Sequence, residues 1–500
     1  MHPFIYIAKI KQSFFMIINT KILHNNFVVI LYKKLNSIIE FKEVYLLNLT
    51  PTIRTLIQDF LKQNHLSMNK FADSIGMNVG AVSNIISGKR SISVKQLDQI
   101  TAGMGLEEGY FYSLYTTEIF EQEIMDWRKI KPLLKRCADL HRLEDIERIV
   151  QLTLENLTYI PLLFDIAELF FNEGKHDAAI LLYKGIAESE KNQHSERLAL
   201  CQFRLFWLRL NDDQENNLLL ATQFEPYIER LEEVYQLEAF HYLLNTYLSL
   251  SRWDKTEEIA KKLLEKATKQ YKIFGKSYEN KLSDRPLIFY ILYSYLSLGD
   301  AYFQLEEYDQ ALNFIKMYTD VEWVSEPNSE EKVILQQFQE WANANQLLYQ
   351  LMAGHVEVLS KYVEYINTRE NEQFIGMYYI VIAANKYNLD IDNMLSTFQL
   401  ELSFKKQVIQ ISKMMKQVAI ERYTNILREL GIYYLNKGQL DTGIQYVIES
   451  LESAIKINNK NTKLKCITAI FEISLQHEEY TTNPTFKNLM NDVLEVSRKS

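Results

Sequence analysis

Five hundred residues exceed what one hydrophobic core organises, so the chain holds at least two domains. Hydrophobic residues make up 47%, with only 15 Gly and 8 Pro, which excludes a disordered or collagen-like chain and favours an ordered, all-α protein. The net charge of -9 is uneven: six Lys against two Glu give +4 for the first fifty residues, six basic and five acidic residues give +1 for 51–115, and -14 is left for the rest, which excludes the acidic bulk as a nucleic-acid surface.

Residues 1–50 mix apolar runs with Lys9, Lys11, Lys21, Lys33 and Lys34, so no apolar run approaches the roughly 18 to 20 residues of a membrane span. Phe, Ile, Tyr, Asn, Lys and Leu dominate, the bias of AT-rich upstream DNA read as protein. The expectation is an extension outside the native start; an interfacial segment or a genuine short extension is the alternative.

Residues 51–115 are expected to form a DNA-binding domain. The segment Phe71 to Arg90 reads as a short helix, a tight turn at Gly76 and a second helix opened by Asn78. Gly76 supports positive φ, Met77 plugs the turn, Asn78 caps the next helix, and Ala72 is small where the two helices cross. Val82, Ile85 and Ile86 share one face, leaving Val79, Gly80, Ser83, Asn84 and Ser87 outward, small and polar as a groove-reading helix requires. Asn84 suits bidentate readout of adenine, while Lys89 and Arg90 follow within reach of phosphate. Leu56, Ile57, Phe60 and Leu61 belong to a first helix, and Val94, Leu97, Ile100, Met104 and Phe111 pack the last two. These residues resemble the Cro/phage-repressor-like helix-turn-helix family over roughly residues 52 to 112, which implies five helices. Ile86 stands where many members carry Glu. The bland alternative is a helical hairpin within a larger core.

Residues 116–135 read as a linker helix and 136–500 as helical repeats. Three segments align: 162–187, 296–318 and 427–451. The middle one sets Leu298, Gly299, Tyr302, Tyr308 and Ala311 at tetratricopeptide spacing; the others keep Ala167, Phe170, Gly174, Ala179 and Tyr183, and Gly431, Tyr434, Gly438 and Gly443. The interval is about 132 residues, four repeats of about 33, so weaker copies are expected at Glu238 to Lys266, Trp341 to Tyr365 and Met377 to Leu400. Residues 282–286 and 325–331 read as loops. The expected architecture is a right-handed tetratricopeptide-like superhelical solenoid, whose concave trough suits extended peptides better than chemistry.

No nucleophile elbow, phosphate loop, zinc-protease motif or catalytic carboxylate pair appears, so no enzyme and no cofactor are expected. Cys137, Cys201 and Cys466 lack paired spacing, which argues against a disulfide framework or metal site and fits a reducing cytoplasm. His176 lies beside a repeat turn, and His141 and His477 are placed on polar helix surfaces.

A Cro-like head followed by such an array resembles the cytoplasmic peptide-pheromone receptors of Gram-positive bacteria known as the RRNPP family, over roughly residues 52 to 495. The resemblance implies a homodimer that binds a double-stranded DNA operator and a short re-imported signalling peptide, held along its backbone by Asn side chains of inner helices. The matching positions here are Asn245, Asp300, Asn345 and Asn385, with Arg428 facing a peptide carboxylate. Two other readings stay open: a ligand-independent phage or plasmid repressor using the repeats for assembly, and a repeat protein that captures a signalling protein.

Overall fold

The computed structural model describes residues 51–121, 125–193, 195–211, 213–275, 285–369, 372–398, 413–456 and 460–476, with Lys487 and Asn491 as isolated positions. The 1–50 stretch, His477, most of the 282–286 loop and the last residues of the 377–400 copy lie outside the described residues. Among the described residues every regular element is helical, and they fall into two compact units. One contains the described residues up to Tyr159 together with Asn172–Leu181; the other contains Ile160–Phe171 and the described residues from Leu182 onward.

The first unit opens with α1 (Ile53–Gln63), α2 (Met68–Ser74), α3 (Val79–Ile86), α4 (Val94–Gly103) and α5 (Tyr112–Phe120), then α6 (Trp127–Asp139) and α7 (Leu143–Leu154). Thr52, Ser67, Asn78 and Ser93 each turn a side-chain oxygen onto the first free N–H groups of α1, α2, α3 and α4, and Gln96 completes a capping box with Ser93. Each such cap stabilises by about 1 kcal/mol. Ile53, Ile57, Phe71, Ala72, Val82, Ile85, Val94, Leu97, Ile100 and Phe111 are buried, while Leu56, Phe60, Leu61, Ile86 and Met104 are half-buried. A Cβ on Gly103 would collide with Ile75, so glycine lets α4 pack against the end of α2. The stretch 116–135 holds the end of α5 and the start of α6.

The later helices form successive pairs: α8 (Ile160–Asn172) with α9 (His176–Ser189), α10 (Glu196–Arg209) with α11 (Gln214–Phe224), and α12 (Glu233–Ser249) with α13 (Trp253–Phe274). Next are α14 (Leu287–Gln304) with α15 (Tyr308–Thr319), α16 (Ser329–Met352) with α17 (Leu359–Asn367), and α18 (Gln373–Tyr387) with α19 (Asp392–Thr397). The series ends in α20 (Lys413–Asn436) with α21 (Leu440–Lys456), followed by α22 (Lys460–Gln476). This is a helical, repeat-like region. Tyr302 stacks on Phe314 at 5.4 Å, and the equivalent Tyr434 stacks on Tyr446 at 5.7 Å, so one aromatic seam serves two pairs. A Cβ on Gly431 would lie 2.5 Å from Val447, which explains the small residue at that crossing.

Two expectations are corrected. Residues 325–331 are not all loop: the Asn328 side chain accepts from Glu331 N–H at 2.8 Å while the Glu331 carboxylate accepts from Asn328 N–H at 2.9 Å, and this capping box starts α16 at Ser329. His141 is not on a helix face; it takes φ 52° in the turn between α6 and α7.

That turn recurs. Gly174, Ser251, Glu306 and Gly438 each occupy the middle of a three-residue connection with φ between 54° and 73°. After Glu306 the backbone closes with Glu306 N–H to Phe303 C=O and Glu307 N–H to Tyr302 C=O, and Gly438 and Gln439 repeat this to Leu435 and Tyr434. A left-handed conformation costs a non-glycine residue about 1–2 kcal/mol. Gly438→Ala should therefore lower stability by about 1 kcal/mol in urea denaturation followed by circular dichroism. Glu306→Gly should raise it by about 0.5 kcal/mol, relief of the turn outweighing the greater freedom of the unfolded chain. Glu306→Ala loses the same Lys386 ion pair at 3.0 Å without relieving the turn, so a Glu306→Gly protein no more stable than Glu306→Ala would show that the turn imposes no such cost.

Candidate nucleic-acid interface and repeat-region cavity

In the first unit, Gly76 (φ 62°) ends α2, and its N–H and that of Met77 close onto Asp73 and Ala72 carbonyls. Asn78 Oδ1 then accepts the Gly80 N–H at 2.8 Å, committing that oxygen to the cap. Val82 and Ile85 face the core. On the opposite face Asn78, Gly80, Ser83, Asn84 and Ser87 are exposed and Val79 is half-buried, so the groove-facing set predicted from the sequence shares one surface of α3. Lys89 and Arg90 are exposed immediately beyond it, and the Arg90 N–H bonds to the Asn84 carbonyl at 3.1 Å. The Asn84 side chain makes no hydrogen bond among the described residues, leaving both donor and acceptor for a base edge.

Tertiary contacts without a sequence signal fix this surface. Gln99 Nε2 donates to the Ile75 carbonyl at 3.2 Å, tying α4 to the end of α2. Glu118 on α5 accepts the Ile53 N–H at 2.6 Å, where a carboxylate complements the N-terminus of α1. Arg54, one residue on, sets its guanidinium beside Gly88 in the loop after α3. Asp98 joins α4 to α5 and α6, accepting from Tyr112 Oη at 2.6 Å and Arg136 Nε at 3.0 Å. Tyr115 Oη donates to the Ile92 carbonyl at 2.6 Å, and burial foremost, with Glu118 and Asp126 nearby, pushes its phenol up to about 12. It therefore stays a donor at neutral pH.

In the second unit the predicted peptide contacts lie on the first helices of successive pairs: Asn245 on α12, Asp300 on α14, Asn345 on α16, Asn385 on α18 and Arg428 on α20. Asp300 and Asn345 line one cavity of about 300 Å³, together with Tyr293, Ser297, Trp341 and Tyr362 among others. Asn245 stands behind that wall: its oxygen accepts from the Tyr293 hydroxyl and its Nδ2 lies 3.1 Å from His241 Nε2. Asn345 Nδ2 donates to Tyr318 Oη at 3.3 Å, and its oxygen accepts no hydrogen bond among the described residues.

Asn385 and Arg428 meet elsewhere, at Glu429. Asn385 Nδ2 donates to the Glu429 carbonyl at 2.9 Å and carboxylate at 2.8 Å, and the Arg428 guanidinium donates to the same carboxylate at 2.7 Å. Asn385 thus ties α18 to α20 while Arg428 pairs within α20; Asn385 Oδ1 and Arg428 Nε are buried without a partner among the described residues. Arg422, which sequence reading passed over, lies close enough to Asp300, Tyr378 and Tyr379 to act on all three electrostatically, yet makes no hydrogen bond or ion pair among the described residues.

All three cysteines are buried, and burial pushes the Cys137 thiol up to about 12. Among the described residues no group of His, Cys, Asp and Glu is arranged to hold a metal ion, and no helix is long and apolar enough to cross a membrane.

A family model for the helix-turn-helix, of the Cro/C1 type, matches residues 57–111, which contain α2, α3 and α4. No curated protein matches the chain. The family match together with the exposed polar face of α3 makes the chain a DNA-binding transcription regulator.

Asn84→Ala should weaken operator binding by about 1–3 kcal/mol and relax preference at one base pair, as loss of a bidentate base contact does. Lys89→Ala should weaken all sequences alike and reduce the slope of log affinity against log salt by about one. Fluorescence anisotropy across a salt series reads both. Unchanged affinity in both variants would remove α3 and its following loop from the interface.

Proposed function

We propose that this regulator is controlled by a short signalling peptide bound in its repeat region, and that it acts as a homodimer on a double-stranded operator in the cytoplasm. The observation that supports the reading is the cavity: Asp300 and Asn345 line it, with Asn245 one hydrogen bond behind, and among the described residues neither the Asp300 carboxylate nor the Asn345 oxygen accepts a hydrogen bond, in a chain whose other unit is a DNA-binding head. Polar groups turned into a cavity without partners cost stability unless a ligand or water uses them. A repressor using its repeats for assembly alone has no need of them, which favours this reading over ligand-independent repression.

The dimer follows from charge. A head of net +1 attracts the phosphate backbone weakly, and two heads double the contacts. The full chain should sediment as a dimer. A fragment of residues 51–121, which keeps Glu118 against α1, should be monomeric and bind the operator at least about tenfold more weakly. Equal affinity of fragment and full chain would refute the two-headed reading.

For the peptide, candidates encoded by small reading frames beside the gene would be added to a mobility-shift assay. One should change operator affinity. Asn345→Ala should then weaken that peptide by about 1–2 kcal/mol in calorimetry, the loss expected for a largely desolvated hydrogen bond. Asn245→Ala, Asn385→Ala and Arg428→Ala should each cost less than about 1 kcal/mol, their hydrogen bonds being partly spent inside the protein. If no peptide alters DNA binding, ligand-independent repression takes the place of this proposal.

A further inference from the structure

The repeat-region cavity has a chemical bias that peptide binding alone does not require. Among the described residues its lining includes two carboxylates, Asp300 and Glu372, and no Lys, Arg or His. Among the described residues neither carboxylate makes an ion pair or side-chain hydrogen bond. The nearest opposing charges act from a distance: Arg422 on Asp300 and Arg369 on Glu372. Arg369 lies instead over the Tyr365 ring at 3.9 Å. Burial pushes both carboxyls above their ordinary range; Arg422 and Arg369 pull them back, and Glu340 adds to the rise at Glu372. Two under-solvated acids facing one cavity are a standing electrostatic cost that an entering cation removes.

The remaining polar atoms have the same sense. Asn345 lines the cavity, and its side-chain oxygen accepts no hydrogen bond among the described residues. Ser297, 2% exposed, sits close enough to act on the Tyr293 phenol, yet its buried hydroxyl makes no hydrogen bond of normal geometry among the described residues. Trp341, Tyr293 and Tyr362 add aromatic side chains to the lining, and Leu296, Leu348 and Ile375 add aliphatic ones. Carboxylates, neutral acceptors and aromatic rings together select positive charge on an apolar stem. About 300 Å³ holds one such arm and not a folded partner.

We propose that this cavity is a receptor for one organic cation, an ammonium or guanidinium on a short aliphatic arm, paired with Asp300 and Glu372 and hydrogen-bonded by Asn345 and Ser297. The cation arrives either as a free alkylamine or as a Lys or Arg side chain of the signalling peptide; the second source rests on the peptide reading above, and the first does not.

Two measurements on the full-length protein test this. In the first, cadaverine and the neutral 1-pentanol are titrated calorimetrically. In the second, heptapeptides retained from a random synthetic pool by the immobilised protein are sequenced. Saturable cadaverine binding, absent for pentanol and at least about tenfold weaker in the near-isosteric Asp300→Asn and Glu372→Gln proteins, supports the free-amine source. Retention of peptides enriched in Lys or Arg at one position, with that enrichment lost in the two variants, supports the peptide source. Retained peptides with no basic preference, alongside no cadaverine binding, overturn the cation receptor and leave peptide control standing. No binding in either arm overturns both, and distant Arg422 and Arg369 are then sufficient counter-charge. Circular dichroism melts confirm that the variants fold, and the wild-type arms decide the matter even where a variant does not.

Discussion

The left-handed residue that stops a helix and reverses the chain is the constraint on which most of this molecule depends. It ends α1 at His65, α2 at Gly76, α4 at Gly105, α6 at His141, α12 at Ser251, α14 at Glu306 and α20 at Gly438. At each of these the next N–H reaches back to a carbonyl five residues earlier, as Arg142 does to Cys137 and Arg252 to Tyr247. The arrangement satisfies orphan carbonyls and, except after α4, starts the next helix within three or four residues. A chain with few glycines accepts His, Ser and Glu at some of these stops because packing of the paired helices outweighs the local cost. The same device serves a DNA-reading turn and a repeat turn, and the side chains beyond the turn separate the two uses.

How acids are buried distinguishes structure from site in the second unit. Glu168 is held by Arg204 at 2.9 Å and Tyr183 at 2.5 Å, so its charge is matched where it sits. Glu238 accepts from Tyr290 at 2.5 Å and Arg285 at 2.7 Å; burial alone would raise it, but His241, Tyr290 and Arg285 hold it below its ordinary range. These are structural carboxylates, paired and hydrogen-bonded as burial demands. Asp300 departs from that pattern in facing a cavity without such partners. The contrast within one unit sets Asp300 apart from the paired acids, which its position along a repeat does not.

The head obeys a different economy. Its contact face is short and polar, with Lys89 and Arg90 placed after α3, and a net charge of +1 gives little sequence-independent attraction. Orientation of α3 therefore matters more than charge. That orientation comes from contacts distant in sequence: Gln99 to Ile75, Glu118 to Ile53, and the Asp98 link to Tyr112 and Arg136. Weak general attraction leaves specificity to the geometry of a few side chains.

Sequence alone determined the local and periodic features. Gly76 followed by Asn78 announced the turn and cap of the head, and the buried pair Val82 and Ile85 fixed which face of α3 is exposed, because turn chemistry and helical period act over a few residues. The 132-residue recurrence of Phe170, Tyr302 and Tyr434 located equivalent helices without any structure. Non-glycine stops such as His141 and Glu306 were invisible, since no composition signal marks a left-handed residue imposed by packing. The capping box at Asn328 is present in the sequence, but its acidic first turn has the composition of a solvent-exposed loop, so only the reciprocal Asn328–Glu331 bonds mark it as a helix start. Tertiary structure alone decided where these polar side chains are used: Asn385 Nδ2 and one Arg428 nitrogen donate to Glu429, while Asp300 and Asn345 line a cavity beside Trp341 and Glu372. Hydrogen-bond partners come from helices tens of residues away, so whether a side chain is spent or available is a property of packing and not of its place in the repeat.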